Sequence, residues 1–117
     1  MLKSLQALIV ETTAGVRCID SAVARAEMKA NQGVLIDVRE PGEADHKSVS
    51  ASRNIPRGVL EMKITDYCPD AATRIYIHCA TGDRARLAAE QLGRMGYENV
   101  SAISCGLDAV CEAFGHG

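Results

Sequence analysis

The stretch Arg74-Ile75-Tyr76-Ile77-His78-Cys79-Ala80-Thr81-Gly82-Asp83-Arg84-Ala85 decides the fold. Its first five residues follow the turn-like Cys68-Pro69-Asp70 and read as a buried strand. From about Arg84 onward the pattern changes period: Ala85, Ala88, Ala89, Leu92 and Met95 share one helical face, and Gly96 closes the helix. Strand, short loop and helix thus succeed one another, with Cys79 at the junction.

The same alternation extends outward on both sides. Upstream, Val34-Leu35-Ile36-Asp37-Val38 is a short apolar run between Gly33 and Arg39-Glu40-Pro41-Gly42, which predicts a second buried strand followed by a loop. An aspartate inside such a run needs a partner. Before it, Val16 to Ile19 predicts a short strand. Asp20 or Ser21 then caps a helix carrying Ala22, Val23, Ala26 and Glu27 to about Lys29, ended by Asn31-Gln32-Gly33. Residues 39–58 are rich in Ser, Pro, Gly and charge and predict only short structured pieces. Val59 to Ile64 has no decided conformation.

Downstream, Asn99 to Ile103 predicts another strand, and after Ser104-Cys105-Gly106 a last helix can bury Leu107, Val110, Ala113 or Phe114. At the N-terminus, Leu2, Leu5, Ile9 and Thr12 share a helical face, although Leu8-Ile9-Val10 alone reads equally as a strand. Alternating strands and helices predict an α/β sandwich around a mainly parallel sheet, in which ligands gather beyond the carboxyl ends of the strands. Cys79 stands at that edge.

Composition narrows the function. A chain of 117 residues, 47% of them apolar, supports one compact domain spanning 1–117, with residues 1–15 as a helical N-terminal extension. With 13 Lys and Arg against 15 Asp and Glu, nothing in the net field favours nucleic acid or an anionic membrane. The N-terminal apolar stretch is broken by Glu11, Thr12 and Thr13, unlike a signal peptide, and no segment is long enough to cross a bilayer. A cytoplasmic location is expected. The five cysteines, at 18, 68, 79, 105 and 111, form no CxxC pair, and their odd number fits a reducing compartment. His46, His78 and His116 add no ligand spacing, so no metal or other cofactor is implied.

Chemistry centres on Cys79. A cysteine between a buried strand and the first turn of a helix meets converging N–H groups and the positive helix end, which stabilise a thiolate. Gly82 lets the loop curl, so that the amides of Ala80, Thr81, Gly82, Asp83 and Arg84 can form a nest for an anion. Thr81 can add a hydroxyl donor, and Arg84 can reach a ligand or brace the loop. A free cysteine is commonly just a small buried hydrophobe. The companions Thr81, Gly82 and Arg84, with a helix starting directly after them, favour a nucleophile here. His78, on the adjacent strand position, is expected to point away from the thiol and to be structural.

From Cys18 to Phe114 the sequence resembles the rhodanese homology domain of single-domain sulfurtransferases. Val34 to Pro41 is similar to the family's first signature, Ile55-Pro56-Arg57-Gly58 to its middle segment, and Ile77 to Ala85 to its active-site loop. Ala88 to Leu92 and Met95 to Val100 resemble the helix and strand that follow. The resemblance implies a three-layer sandwich with a five-stranded parallel sheet flanked by helices. It also implies a catalytic Cys79, a donor site at residues 80–84, and ping-pong transfer of sulfane sulfur. The donor would be a small sulfur anion such as thiosulfate, and the acceptor cyanide, a small thiol or a protein. Asp37 and Arg39 match residues that brace the loop. Oligomeric state is left between a monomer and a weak dimer.

Three features depart from the family pattern. Cys105-Gly106 and Val110 stand where a glycine pair and a tryptophan are usual, His78 replaces a more common aromatic residue, and Asp83 puts a carboxylate in the loop that disfavours a strongly anionic donor. Cys105 is a candidate resolving thiol for the Cys79 persulfide, although filling the place of a glycine is the plainer explanation. Two other functions compete. Cysteine phosphatases have five residues between cysteine and arginine, whereas four separate Cys79 from Arg84, although Arg86 weakens that distinction. A non-enzymatic binding or regulatory module is the other alternative.

Overall fold

The computed structural model describes all residues, 1–117. Five strands, β1 (Arg17–Ile19), β2 (Val34–Asp37), β3 (Ser52–Asn54), β4 (Arg74–His78) and β5 (Asn99–Ile103), form one sheet in the order β1-β5-β4-β2-β3. Every neighbouring pair is parallel, with Asp37 opposite His78 and Ile77 opposite Ala102. Six helices complete the chain: α1 (Leu5–Thr13), α2 (Ser21–Asn31), α3 (Pro41–His46), α4 (Leu60–Tyr67), α5 (Asp83–Met95) and α6 (Leu107–Phe114). No helix is long and apolar enough to cross a membrane.

Strand alternation divides the core in two. Ile36, Ile75, Ile77 and Cys79 face Leu60 and Ile64 of α4 and Ala85, Ala88, Ala89 and Leu92 of α5. On the other face Leu35, Tyr76 and Ile103 pack against Ala24 of α2 and Val110 and Cys111 of α6. This is the three-layer sandwich expected from the sequence. The α1 helix is started by the Ser4 side chain, which accepts from the Ala7 N–H, and it lies outside α5. Only Ile9 is buried on it, and Leu2 and Leu5 are exposed.

Local chemistry explains the helix limits and several departures from expectation. Asp20 rather than Ser21 caps α2, accepting from Val23 N–H at 2.8 Å. The left-handed residue that ends α2 is Gln32 at φ 56°, not Gly33. Gly33 answers to space instead: a Cβ there would lie 2.8 Å from both the Arg74 carbonyl oxygen and the Tyr76 ring. Helix α5 begins at Asp83, one residue earlier than expected, and its last residue Met95 is exposed. In α6 the buried pair is Val110 and Cys111, with Phe114 only partly covered. Val59 to Ile64, undecided from sequence, joins a single 3-10 turn at Arg57–Val59 to α4.

Candidate active site

Helix α5 starts immediately beyond β4 because Gly82 adopts φ 99°, a left-handed conformation that side chains avoid. That turn brings two backbone donors onto one sulfur: the N–H of Gly82 lies 3.1 Å from Cys79 Sγ and that of Ala85 lies 3.4 Å away. Cys79 is wholly buried, on the α5 face of the sheet. Its sulfur sits under the unsatisfied first turn of a helix, where N–H groups and the helix dipole favour negative charge. The loop is fixed from a second side. Leu107 N–H donates to the Ala80 carbonyl at 3.0 Å, and a Cβ on Gly82 would lie 2.8 Å from the Ser104 carbonyl oxygen.

Of the residues expected to bind a donor, Gly82 gives a direct bond to the sulfur. Ala80 is tied to the start of α6, and Thr81 is exposed at the loop tip. Arg84 braces: both terminal nitrogens donate to Glu43 of α3, at 2.8 and 2.9 Å. Asp83 is paired with Arg86 at 3.2 Å. The sequence reading omitted the Ala85 amide, which has no signature in the side-chain alphabet, and Glu43. The latter did leave a trace, because Glu40-Pro41-Gly42-Glu43 forms a reciprocal capping box that starts α3.

Asp37 and Arg39 support this arrangement from a distance. They form a buried ion pair at 2.8 Å, reinforced by the Arg39 N–H and Nε bonds to the same carboxylate. The Nη2 of that ion pair also donates to the Lys47 carbonyl at 2.7 Å, and Nη1 donates to the Glu43 carbonyl at 3.4 Å, so the pair anchors α3. Through Glu43, α3 in turn holds Arg84. The Arg84 guanidinium, followed by the Glu40 N–H, keeps the Glu43 carboxyl down at about 2, and Glu43 in return raises Arg84.

His78 occupies the opposite face of the sheet from Cys79. It is fully buried, its Nε2 is 2.8 Å from Ser52 Oγ, and its Nδ1 has no partner. Burial lowers it to about 4, against an opposing pull from Asp37 and with a smaller contribution from Arg39. The imidazole is therefore neutral at neutral pH. Cys105 is also turned away: its sulfur accepts the Ser21 N–H at 3.3 Å and packs with the core cluster between the sheet and α2 and α6. All five cysteines are free thiols. No three His, Cys, Asp or Glu side chains gather as metal ligands.

A cavity of about 1020 Å³ lies elsewhere. Arg17, Arg74 and Asn99, the first residues of β1, β4 and β5, line it, so it opens at the strand ends opposite Cys79. Two of its arginines are matched, Arg17 with Glu27 and Arg94 with Glu90, and no cysteine lines it. Size alone is a weaker guide to chemistry than the amides converging on Cys79.

Residues 20–113 match the rhodanese-like domain family, and the chain belongs to that family. A protein of Schizosaccharomyces pombe provisionally named a mitochondrial thiosulfate sulfurtransferase is 33% identical over 78 residues. That similarity covers 57% of this chain and 55% of the yeast protein, so the chain spans about half the length of this curated relative. A solved structure from Rhodopseudomonas palustris, of unknown function and described as a possible tyrosine phosphatase, superposes with a TM-score of 0.82 at 26% identity. The match covers 97% of this chain and 92% of that one. The polysulfide-sulfur transferase homodimer of Wolinella succinogenes superposes with a TM-score of 0.76 at 25% identity, over 92% of this chain and 81% of its own.

Proposed function

We propose that this protein is a sulfurtransferase carrying sulfane sulfur as a persulfide on Cys79. The observation that carries this reading is the convergence of the Gly82 and Ala85 amides on Cys79 Sγ at the first turn of α5. Family membership and the names of the yeast and Wolinella relatives support it. In the first half-reaction the Cys79 thiolate attacks the outer sulfur of thiosulfate. A new S–S bond forms, the old one breaks, and sulfite leaves with the bonding pair. In the second, an acceptor thiolate or cyanide attacks the outer sulfur of Cys79-S-S⁻, and the Cys79 thiolate returns as the leaving group. The negative charge stays within reach of the same amides throughout, so both half-reactions use one preorganised electrostatic environment.

The wholly covered sulfur suits a small donor, admitted by displacement of the exposed Thr81 tip, and the protein works as a monomer or a weak dimer. Five free thiols suit a reducing compartment, the cytoplasm or a mitochondrial matrix. Intact-mass analysis after incubation with thiosulfate, and separately with mercaptopyruvate, tests the reading on wild type and Cys79→Ser. A gain of one sulfur atom, removable by cyanide and absent from the variant, is expected. Absence of any persulfide with every sulfane donor would leave the binding-module alternative, and rapid Cys79-dependent hydrolysis of an aryl phosphate would establish the phosphatase instead.

A further inference from the structure

Each cation at the mouth of the Cys79 loop already has a carboxylate. Arg84 is held by two bonds to Glu43, Arg86 by Asp83, and Lys47 by Asp108 in the first turn of α6. Glu43 is also fixed in place. Its Oε2 accepts the Glu40 N–H at 2.8 Å, its own carbonyl accepts from Arg39, and Arg39 is locked on buried Asp37. Arg84 therefore cannot turn toward a ligand while keeping this pair, and the ligand would have to break two charge-assisted bonds to recruit it. What remains for a donor is the set of backbone amides, which satisfies one concentrated negative charge better than two.

Building on the persulfide reading, we propose that Glu43 is the specificity-determining residue of this site. By withholding Arg84, it selects sulfane donors with a single negative charge, the class of organic persulfides and thiosulfonates, over dianionic thiosulfate. Loading from such a donor balances as before: the Cys79 thiolate bonds to the outer sulfur, and a thiolate or sulfinate departs with the electron pair.

Thiosulfate and methanethiosulfonate form a matched pair of probes, since both place a sulfane sulfur on a sulfonyl group and they differ by one charge. The readout is the ratio of kcat/KM for the two donors, with cyanide as acceptor, in wild type, Glu43→Gln and Glu43→Gln/Arg84→Gln. The glutamine keeps a side-chain oxygen for the Glu40 N–H but removes the charge that holds Arg84. The ratio of thiosulfate to methanethiosulfonate should rise on the order of tenfold in Glu43→Gln, mainly through the thiosulfate KM, as expected for one released charged donor. It should fall back in the double variant. A variant that merely loosened the loop would slow both donors alike. An unchanged or lowered ratio in Glu43→Gln, or an equal rise in the double variant, overturns the proposal. Absence of a Cys79 persulfide in wild type with both donors would remove the sulfurtransferase reading itself, a separate outcome.

Discussion

His78 makes the protein acid-labile in a pH range where carboxylates contribute little. The folded imidazole is held near 4 by burial, whereas an unfolded one titrates at its ordinary value of 6.5. Below 6.5 the unfolded chain takes up a proton that the folded chain refuses, so stability falls with falling pH and the slope ends once the folded imidazole protonates near 4. Acidifying from pH 6.5 to pH 5 should remove about 1.6 kcal/mol, the slope approaching about 1.4 kcal/mol per pH unit as the unfolded histidine becomes fully protonated. That is a large part of the 5–15 kcal/mol, roughly, of a typical small domain. The Glu43 and Glu27 carboxyls, both held down at about 2 by arginine partners, add their own losses only below about 4.5. Urea denaturation at half-unit pH intervals isolates the effect, with His78→Gln as reference because it offers Ser52 a hydrogen-bond partner but cannot titrate. The wild type should lose stability steeply between pH 6.5 and 5 while the variant stays nearly level. Equal slopes in the two proteins, or a flat wild-type profile, would refute the reasoning.

The loop and its buried ion pair give two further expectations. Gly82→Ala forces an alanine to φ 99° and sets its Cβ 2.8 Å from the Ser104 carbonyl oxygen, so it should cost about 1–3 kcal/mol in urea unfolding. It should also slow persulfide formation, since the Gly82 N–H must move off Cys79 Sγ. Unchanged stability and loading would show that the turn is not needed. Asp37→Asn leaves the buried Arg39 without its counter-charge and should lower stability by about 3–5 kcal/mol at neutral pH, with weakened anchoring of α3. A loss below about 1 kcal/mol would mean that Arg39 is satisfied by the Lys47 and Glu43 carbonyls alone.

The sequence announces what rests on short-range pattern. β2 and β4 are apolar runs bounded by glycine or proline, and α5 carries four small or apolar residues, Ala85, Ala88, Ala89 and Leu92, on one face. Cys79 was legible because the turn glycine and the helix start follow it at once. Contacts made across distance left no comparable mark. Arg84 meets Glu43 across 41 positions, and α3 itself, six residues long, is too short to show a helical period. Gln32 takes the left-handed cap because Gly33 is required for the close approach to Arg74 and Tyr76. The amide of Ala85 matters to the site while its side chain merely fills the core. The sequence leaves Cys105 as a candidate resolving thiol beside the plainer reading that it fills the place of a glycine, and only the contact with the Ser21 N–H at the start of α2 shows where its sulfur lies.

A fold does not by itself choose the chemistry of its site, and one neighbour of this fold, of unknown function, is described as a possible tyrosine phosphatase. The choice lies in the loop. A transferring phosphoryl group spreads charge over three equatorial oxygens and needs cations and several amides around them. Here four residues separate Cys79 from Arg84, two amides converge on the sulfur, and Arg84 faces Glu43. Those features leave a phosphate dianion with little cationic stabilisation, while a terminal sulfur bearing one charge fits amides already aimed at Cys79. The Asp37–Arg39 pair strengthens the distinction by anchoring the helix that carries Glu43, so the neutralised mouth of the loop is built into the fold and is not a chance surface contact.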